Sequence, residues 1–179
     1  MTTIYYCYYS SPVGKLLMLA QQDQLTNLDF EEEQIAPNPK WKLDENQPLF
    51  LQVKAALDRY FQGQPEDFKD IPIAPQGTEF QRQIWQALRQ IQYGHISSYG
   101  ELAVQIARPK AVRAVGGAVG SNPISIIIPC HRVLGKKQEL TGFGGGLPAK
   151  RYLLQLEKIA YVDKGTEHVK PKLLKKYKN

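Results

Sequence analysis

Residues 98–120 read SYGELAVQIARPKAVRAVGGAVG, and this stretch decides the fold of the chain's second half. Ser98 predicts an N-cap for a short helix through Glu101 to Ala107. Arg108-Pro109 breaks that helix and restarts another, with Pro109 suited to the first helical position. Val112, Val115 and Val119 recur at i, i+3 and i+7, so the second helix is expected to bury one narrow valine stripe. Ser121-Asn122-Pro123 ends it. Two short helices joined by a tight break read as a helix-turn-helix pair.

The outer positions of the second helix are Lys110, Arg113, Ala114, Gly117 and Gly120, small apart from two cations. A helical glycine costs roughly 1 kcal/mol relative to alanine, so Gly116-Gly117 needs a reason. Close packing on a neighbouring helix is one, and close approach of the backbone to another molecule's surface is the other. A lone arginine among small residues suits insertion into a groove in place of an extruded base.

Upstream, Thr78-Glu79-Phe80-Gln81 is a capping box in its Gln form, followed by Phe80, Ile84, Leu88 and Ile91 on one face. Downstream, Ile124 to Ile128 is an apolar, β-branched run of strand length that leads into Pro129-Cys130-His131-Arg132-Val133. A thiolate is a nucleophile, and an imidazole backed by a carboxylate can accept its proton. A lone Cys-His dipeptide is usually structural, because adjacent residues do not normally point the same way. The glycine-rich loop Thr141 to Gly146 can offer backbone N–H groups to a ligand oxygen, or can simply connect. Pro148 opens a last helix with Tyr152, Leu153, Leu156 and Ile159 on one side.

The first half differs. Ile4–Tyr9, Lys15–Ala20 and Leu25–Phe30 read as antiparallel strands, and Glu31 to Asp44 as a polar loop. Asn46 is the expected N-cap of a helix with Pro48 in its first turn and Phe50, Val53, Leu57 and Tyr60/Phe61 as its stripe. Gln64 to Pro75 holds three prolines and marks a boundary. The expected organisation is an α/β domain over 1–75, a mostly helical domain over 76–160 and a Lys-rich tail, partly disordered, over 161–179.

Of 179 residues 42% are hydrophobic, which suits a globular chain with a real core. No run approaches the ~20 apolar residues that span a bilayer. The first nine residues lack a basic region and a cleavage site, so no secretory leader is expected. Two cysteines, Cys7 and Cys130, make no disulfide framework, and Cys7 reads as a packing residue. The net charge of +6 is uneven. Residues 1–75 carry 6 Lys+Arg against 11 Asp+Glu, residues 76–160 carry 11 against 4, and residues 161–179 carry 6 against 2. A basic second half is either a solvated surface or the face turned to a polyanion.

SYGELA (98–103), RAVGGA (113–118), SNP (121–123), IPCHRV (128–133), LTGFGGG (140–146) and LLQLE (153–157) together resemble the O6-alkylguanine-DNA alkyltransferases, in order and spacing. The resemblance is strong over 78–160 and looser upstream, through YYSSPVGKLLMLA (8–20). It implies an α/β fold: a small N-terminal ribonuclease-H-like domain with an antiparallel sheet, and a C-terminal winged-helix-like DNA-binding domain. It implies repair of O6-alkylguanine, and of O4-alkylthymine, by irreversible transfer to Cys130. His131 would deprotonate Cys130 through a water, Glu157 would orient His131, and Asn122 would brace the turns. Tyr99 would donate to the base; the Gly144 N–H would contact O6; the Cys130 and Val133 carbonyls would accept from the exocyclic amine. Val119 and Phe143 would complete the base pocket. Arg113 would be the finger on a recognition helix whose Lys110, Ala111, Val112, Ala114 and Gly116 meet the minor groove of double-stranded DNA.

Two departures bear on the pocket: Phe143 stands where some members carry tyrosine, and Gly144 where some carry serine. Some relatives bind zinc in the N-terminal part through paired cysteines and histidines. With only Cys7 before Cys130, and histidines at 95, 131 and 168, no metal and no cofactor are expected. A monomeric, cytoplasmic protein with no membrane partner is expected. A DNA-binding regulator would not need the Pro-Cys-His context, and a thiol hydrolase would not need Arg113.

Overall fold

The computed structural model describes residues 2–31 and 36–164, so most of the expected basic tail lies outside the described residues. The chain divides into two compact units, Met1–Gln76 with Pro123–Ser125, and Gly77–Asn122 with Ile126–Asn179.

In the first unit β1 (Tyr5–Ser11), β2 (Gly14–Gln21) and β3 (Gln24–Phe30) form an antiparallel meander. Turn chemistry fixes both hairpins. Ser11 Oγ donates to the Gly14 carbonyl at 2.6 Å and accepts from the Val13 N–H at 3.1 Å. Gln22 and Asp23 both take positive φ, 50° and 60°, as a two-residue hairpin loop with the right twist requires. Within the expected loop, β4 (Lys42–Leu43) pairs parallel to β1, giving the order β3-β2-β1-β4. Helix α1 (Pro48–Phe61) begins with Pro48 as expected, but its N-cap is Gln47 without a side-chain bond. The Asn46 N–H instead donates to Asp44 Oδ1 at 3.3 Å. Phe50, Val53, Leu57 and Tyr60 are the fully buried stripe.

The outer edge of β3 is occupied at two points. Leu25 exchanges backbone bonds with Pro72 and Ala74 at 2.9 and 2.8 Å, and Leu28 with Pro123 and Ser125, both at 2.9 Å. Pro123–Ser125 therefore belongs to the first unit, although the sequence reading left it in the second. The strand expected over Ile124 to Ile128 does not form: only Ile124 makes a single bridge, to Leu28. Ile126 adopts φ +72°, which turns the chain. The run is buried throughout, so its composition reported burial correctly and extension wrongly.

The second unit starts with α2 (Glu79–Arg89), whose Thr78/Gln81 capping box is complete. Ser98 Oγ caps α3 (Tyr99–Gln105) by accepting from the Glu101 N–H at 3.1 Å. Helix α4 (Val112–Gly120) starts three residues after Pro109, with Ala111 as N-cap, because Ala107 at φ +61° and the Arg108-to-Ala111 turn consume the intervening chain. Its buried stripe is Val115, Ala118 and Val119, whereas Val112 is 41% exposed. Trp85 Nε1 donates to the Ala118 carbonyl at 2.9 Å and ties α2 to α4. A two-residue parallel pair, β5 (Ser97–Ser98) with β6 (Val133–Leu134), joins the start of α3 to the segment after Cys130. Helix α5 (Leu147–Leu156) buries Leu147, Lys150, Leu153 and Leu154, while Tyr152, expected on the stripe, is 37% exposed.

Candidate active site

All of the expected catalytic side chains lie in the second unit. Cys130 opens a single 3-10 turn, Cys130–Arg132, immediately after Pro129. Its N–H donates to the Ile128 carbonyl at 2.8 Å, and Asn122 Nδ2 donates to the same carbonyl at 2.7 Å. The Asn122 side chain also hydrogen-bonds the Cys130 thiol. Asn122 thus pins the turn and touches the sulfur.

The tight turn sends His131 and Arg132 to the two oxygens of one carboxylate. His131 is wholly buried, and its Nε2 meets Glu157 Oε2 at 2.5 Å. Glu157 Oε1 accepts from Arg132 Nε at 2.8 Å and from the Gly94 N–H at 3.1 Å. Arg132 Nη1 donates onward to the Ile91 carbonyl at 2.6 Å. Against its burial, the His131 and Arg132 bonds hold the Glu157 carboxyl down at about 2, so it is ionised. Burial holds the His131 imidazole below its ordinary value although Glu157 pulls the other way. Burial also pushes the Cys130 thiol up, opposed by the Asn122 bond and the Lys150 charge. The resting arrangement is a neutral thiol, a neutral imidazole and a fixed carboxylate, a set that generates a thiolate when the proton moves to the imidazole.

Tyr99 and Lys150 also interact with Cys130, and both meet Thr141. Tyr99 Oη is 2.9 Å from Thr141 Oγ1. Lys150, 1% exposed, donates to the Val133 carbonyl at 2.8 Å and to Thr141 O and Oγ1, each at 3.1 Å. The Val133 carbonyl, expected to accept from a base, already accepts from this ammonium and keeps a second lone pair. Val119 and Phe143 are buried, at 6% and 7% exposure, and Gly144 is half-buried.

Lys110, Val112, Arg113, Ala114 and Gly117 are exposed, and Ala111 and Gly116 are half-buried. A Cβ added at Gly117 would meet nothing within 4 Å, and one at Gly116 would make an ordinary 3.8 Å contact with the Tyr99 ring. Packing inside the chain therefore requires neither glycine. Sequence reasoning missed Lys150 and Arg132 as members of the site. Lys150 carried a signal, falling at i+3 from Leu147 and i−4 from Leu154 on the apolar face of α5.

The family model described as "6-O-methylguanine DNA methyltransferase, ribonuclease-like domain" matches residues 4–75, and that described as "6-O-methylguanine DNA methyltransferase, DNA binding domain" matches residues 79–159. A Haemophilus influenzae protein named methylated-DNA–protein-cysteine methyltransferase is 64% identical over 177 residues, covering 99% of both chains. This chain belongs to the methylated-DNA–protein-cysteine methyltransferase family.

A family member of that name from Methanosarcina acetivorans is 42% identical, covering 86% of this chain and 98% of its own. Among solved structures, the methyltransferase fold of Mycobacterium tuberculosis O6-methylguanine methyltransferase superposes with a TM-score of 0.79 at 44% identity, covering 87% of this chain and 93% of that one. Mycobacterium tuberculosis OGT in complex with DNA gives the same TM-score and identity, covering 86% and 92%. The ribonuclease-like and DNA-binding halves of the family thus correspond to the sheet unit and the helical unit described above. Among the described residues of this family member, no helix is long and apolar enough to cross a membrane.

Proposed function

We propose that this chain repairs DNA by direct reversal, moving the alkyl group from O6 of guanine, and from O4 of thymine, to the sulfur of Cys130. The observation that carries this is the buried thiol held by Asn122 with the His131–Glu157 pair, 2.5 Å apart, on the adjoining residue. Its relatives' name and the DNA complex of a 44% identical structure support the substrate class.

His131 takes the thiol proton through a water, and Glu157 stabilises the imidazolium that results. The thiolate attacks the alkyl carbon in line, a sulfur–carbon bond forms as the carbon–oxygen bond breaks, and Tyr99 donates to the departing guanine. The thioether is not reversed, so each molecule acts once. Extrusion of the base from double-stranded DNA brings it to Cys130, between Val119, Val133, Phe143 and Gly144. The exposed small-residue face of α4 enters the minor groove, with Arg113 in the space the base leaves and Lys110, Ala111, Val112, Ala114 and Gly116 beside it. In this reading α3 and α4 are the helix pair of a winged-helix-like unit over 76–160, the chain carries a separate α/β domain over 1–75, and the protein works as a cytoplasmic monomer without cofactor.

Stoichiometric protein incubated with an O6-methylguanine duplex should gain one methyl, located by mass spectrometry on Cys130. Cys130→Ala should bind the duplex and gain none. Binding without methylation of the wild-type chain would favour a DNA-binding regulator, and turnover of esters or peptides a thiol hydrolase.

A further inference from the structure

A base that accepts a thiol proton must be empty when the substrate arrives, and a buried carboxylate against an imidazole works against that. Alone with His131, the Glu157 charge would draw a proton from solvent and leave a resting imidazolium. Resting on the alkyl-transfer reading above, we propose that Arg132 is a positioning residue that claims the other half of the Glu157 carboxylate, so that His131 stays unprotonated until Cys130 supplies the proton.

The geometry gives Arg132 a fixed hold. Its Nε donates to Glu157 Oε1 at 2.8 Å, and its Nη1 to the Ile91 carbonyl at 2.6 Å. The guanidinium carbon stands 5.8 Å from the centroid of the Tyr93 ring, within cation–π range. The Gly94 N–H donates to the same Oε1 at 3.1 Å. The segment 91–94 after α2 thus grips both members of the pair and leaves Oε2 for His131 Nε2 at 2.5 Å. An ionised carboxylate only accepts, so the neutral ring carries its hydrogen on Nε2 and keeps its lone pair on Nδ1.

Charge counting then decides which proton His131 can take. Among the described residues, the charged groups that act on it are Glu157, Arg132 and Lys150. His131, Arg132 and Glu157 are 0%, 5% and 3% exposed, so an uncompensated charge among them is poorly solvated. A guanidinium does not release its proton, so Arg132 and Glu157 cancel at every working pH. A solvent proton on His131 would leave this trio with one uncompensated positive charge, and Lys150 adds repulsion of the same sign. A proton from Cys130 brings no net charge. It leaves the sulfur and crosses a water to Nδ1, and the new imidazolium is matched by the new thiolate. The base is thereby reserved for its own nucleophile.

Arg132→Met removes the charge and keeps a long side chain; Arg132→Lys keeps the charge. In the full chain with isotopically labelled histidine, NMR titration of the ring nitrogens reads the proton affinity of His131 directly. His131 should bind a solvent proton roughly tenfold more tightly in Arg132→Met, and within about twofold of wild type in Arg132→Lys. The acid limb of single-turnover methyl transfer from an O6-methylguanine duplex should move up by about one pH unit in Arg132→Met and stay in place in Arg132→Lys. Where Arg132→Met does not fold, Arg132→Gln makes the same comparison with an amide that can still donate to Glu157. An unmoved His131 titration in the neutral variant would overturn the proposal, since a purely structural arginine would lower the rate at every pH and leave that titration in place. Equal shifts in the lysine and neutral variants would overturn it too, because the charge would not be the cause. A wild-type chain that leaves Cys130 unmethylated would overturn the alkyl-transfer reading, and the titration would still decide on Arg132 by itself.

Discussion

Glu157 Oε2 lies 2.5 Å from His131 Nε2, with both side chains fully enclosed, and the second oxygen of the same carboxylate holds Arg132 at 2.8 Å. One carboxylate therefore holds a buried imidazole and neutralises a buried guanidinium.

Replacing Glu157 should consequently cost both rate and stability. Glu157→Ala leaves the Arg132 charge buried without its carboxylate, a loss on the order of 3–5 kcal/mol, and urea denaturation measures it. Glu157→Gln keeps the volume and should lose less stability while still slowing transfer. The pH dependence follows from a carboxyl held at about 2 against 4.5 when unfolded: the stabilisation is full above pH 4.5 and fades as pH falls toward 2. Acid unfolding curves of Glu157→Gln should lack that step.

Lys150 also titrates below its ordinary value, but because burial disfavours its charged form. Its folded value of about 8 lies below the 10.5 of an unfolded lysine, so between these pH values the unfolded chain binds the extra proton. Stability should gain about 1.4 kcal/mol per pH unit from this group as pH rises through that window. Lys150→Met should lose the slope, read as the difference between the two chains' denaturation free energies at pH 8 and 10. An identical slope in both would remove the buried-ammonium assignment.

Gly117→Ala separates folding from DNA approach. With no atom within 4 Å of the added Cβ, the variant should gain about 0.5–1 kcal/mol in the helix. Transfer from duplex DNA should fall, and transfer from free O6-methylguanine should hold. Thermal unfolding and transfer rates check the two signs, and a variant improved in both would mean that α4 never closes on DNA at this position.

Arg113→Ala should weaken transfer from duplex more than from single-stranded DNA, where no base must be held out of a stack. Arg113→Lys should rescue only in part, since the planar guanidinium is lost. Equal losses on both DNA forms, with good lysine rescue and a shallower salt dependence, would make Arg113 a phosphate contact instead.

Local chemistry was the most legible part of the chain. The Thr78/Gln81 box and the Ser98 cap depend on residues three apart, and both formed. Where tertiary contacts decided, the sequence misled. Ile124 to Ile128 looks like a strand because burial and extension share a composition, yet Ile126 turns at φ +72°. Pro109 suits a first helical position, but the turn at Ala107 carries it outside α4. Lysine is counted as surface by habit, so Lys150 was passed over although its place on α5 is buried. Cys130, His131, Asn122 and Glu157 were reached through the motif resemblance, and their hydrogen bonds required the fold.

The sheet has one further consequence. Bridges at Leu25 and Leu28 occupy the outer edge of β3, and on the opposite side β4 pairs with the first two residues of β1. The β3 border therefore offers no long row of open amides for a second chain to extend. An edge closed by its own chain keeps strand addition between copies from starting on that side of the sheet.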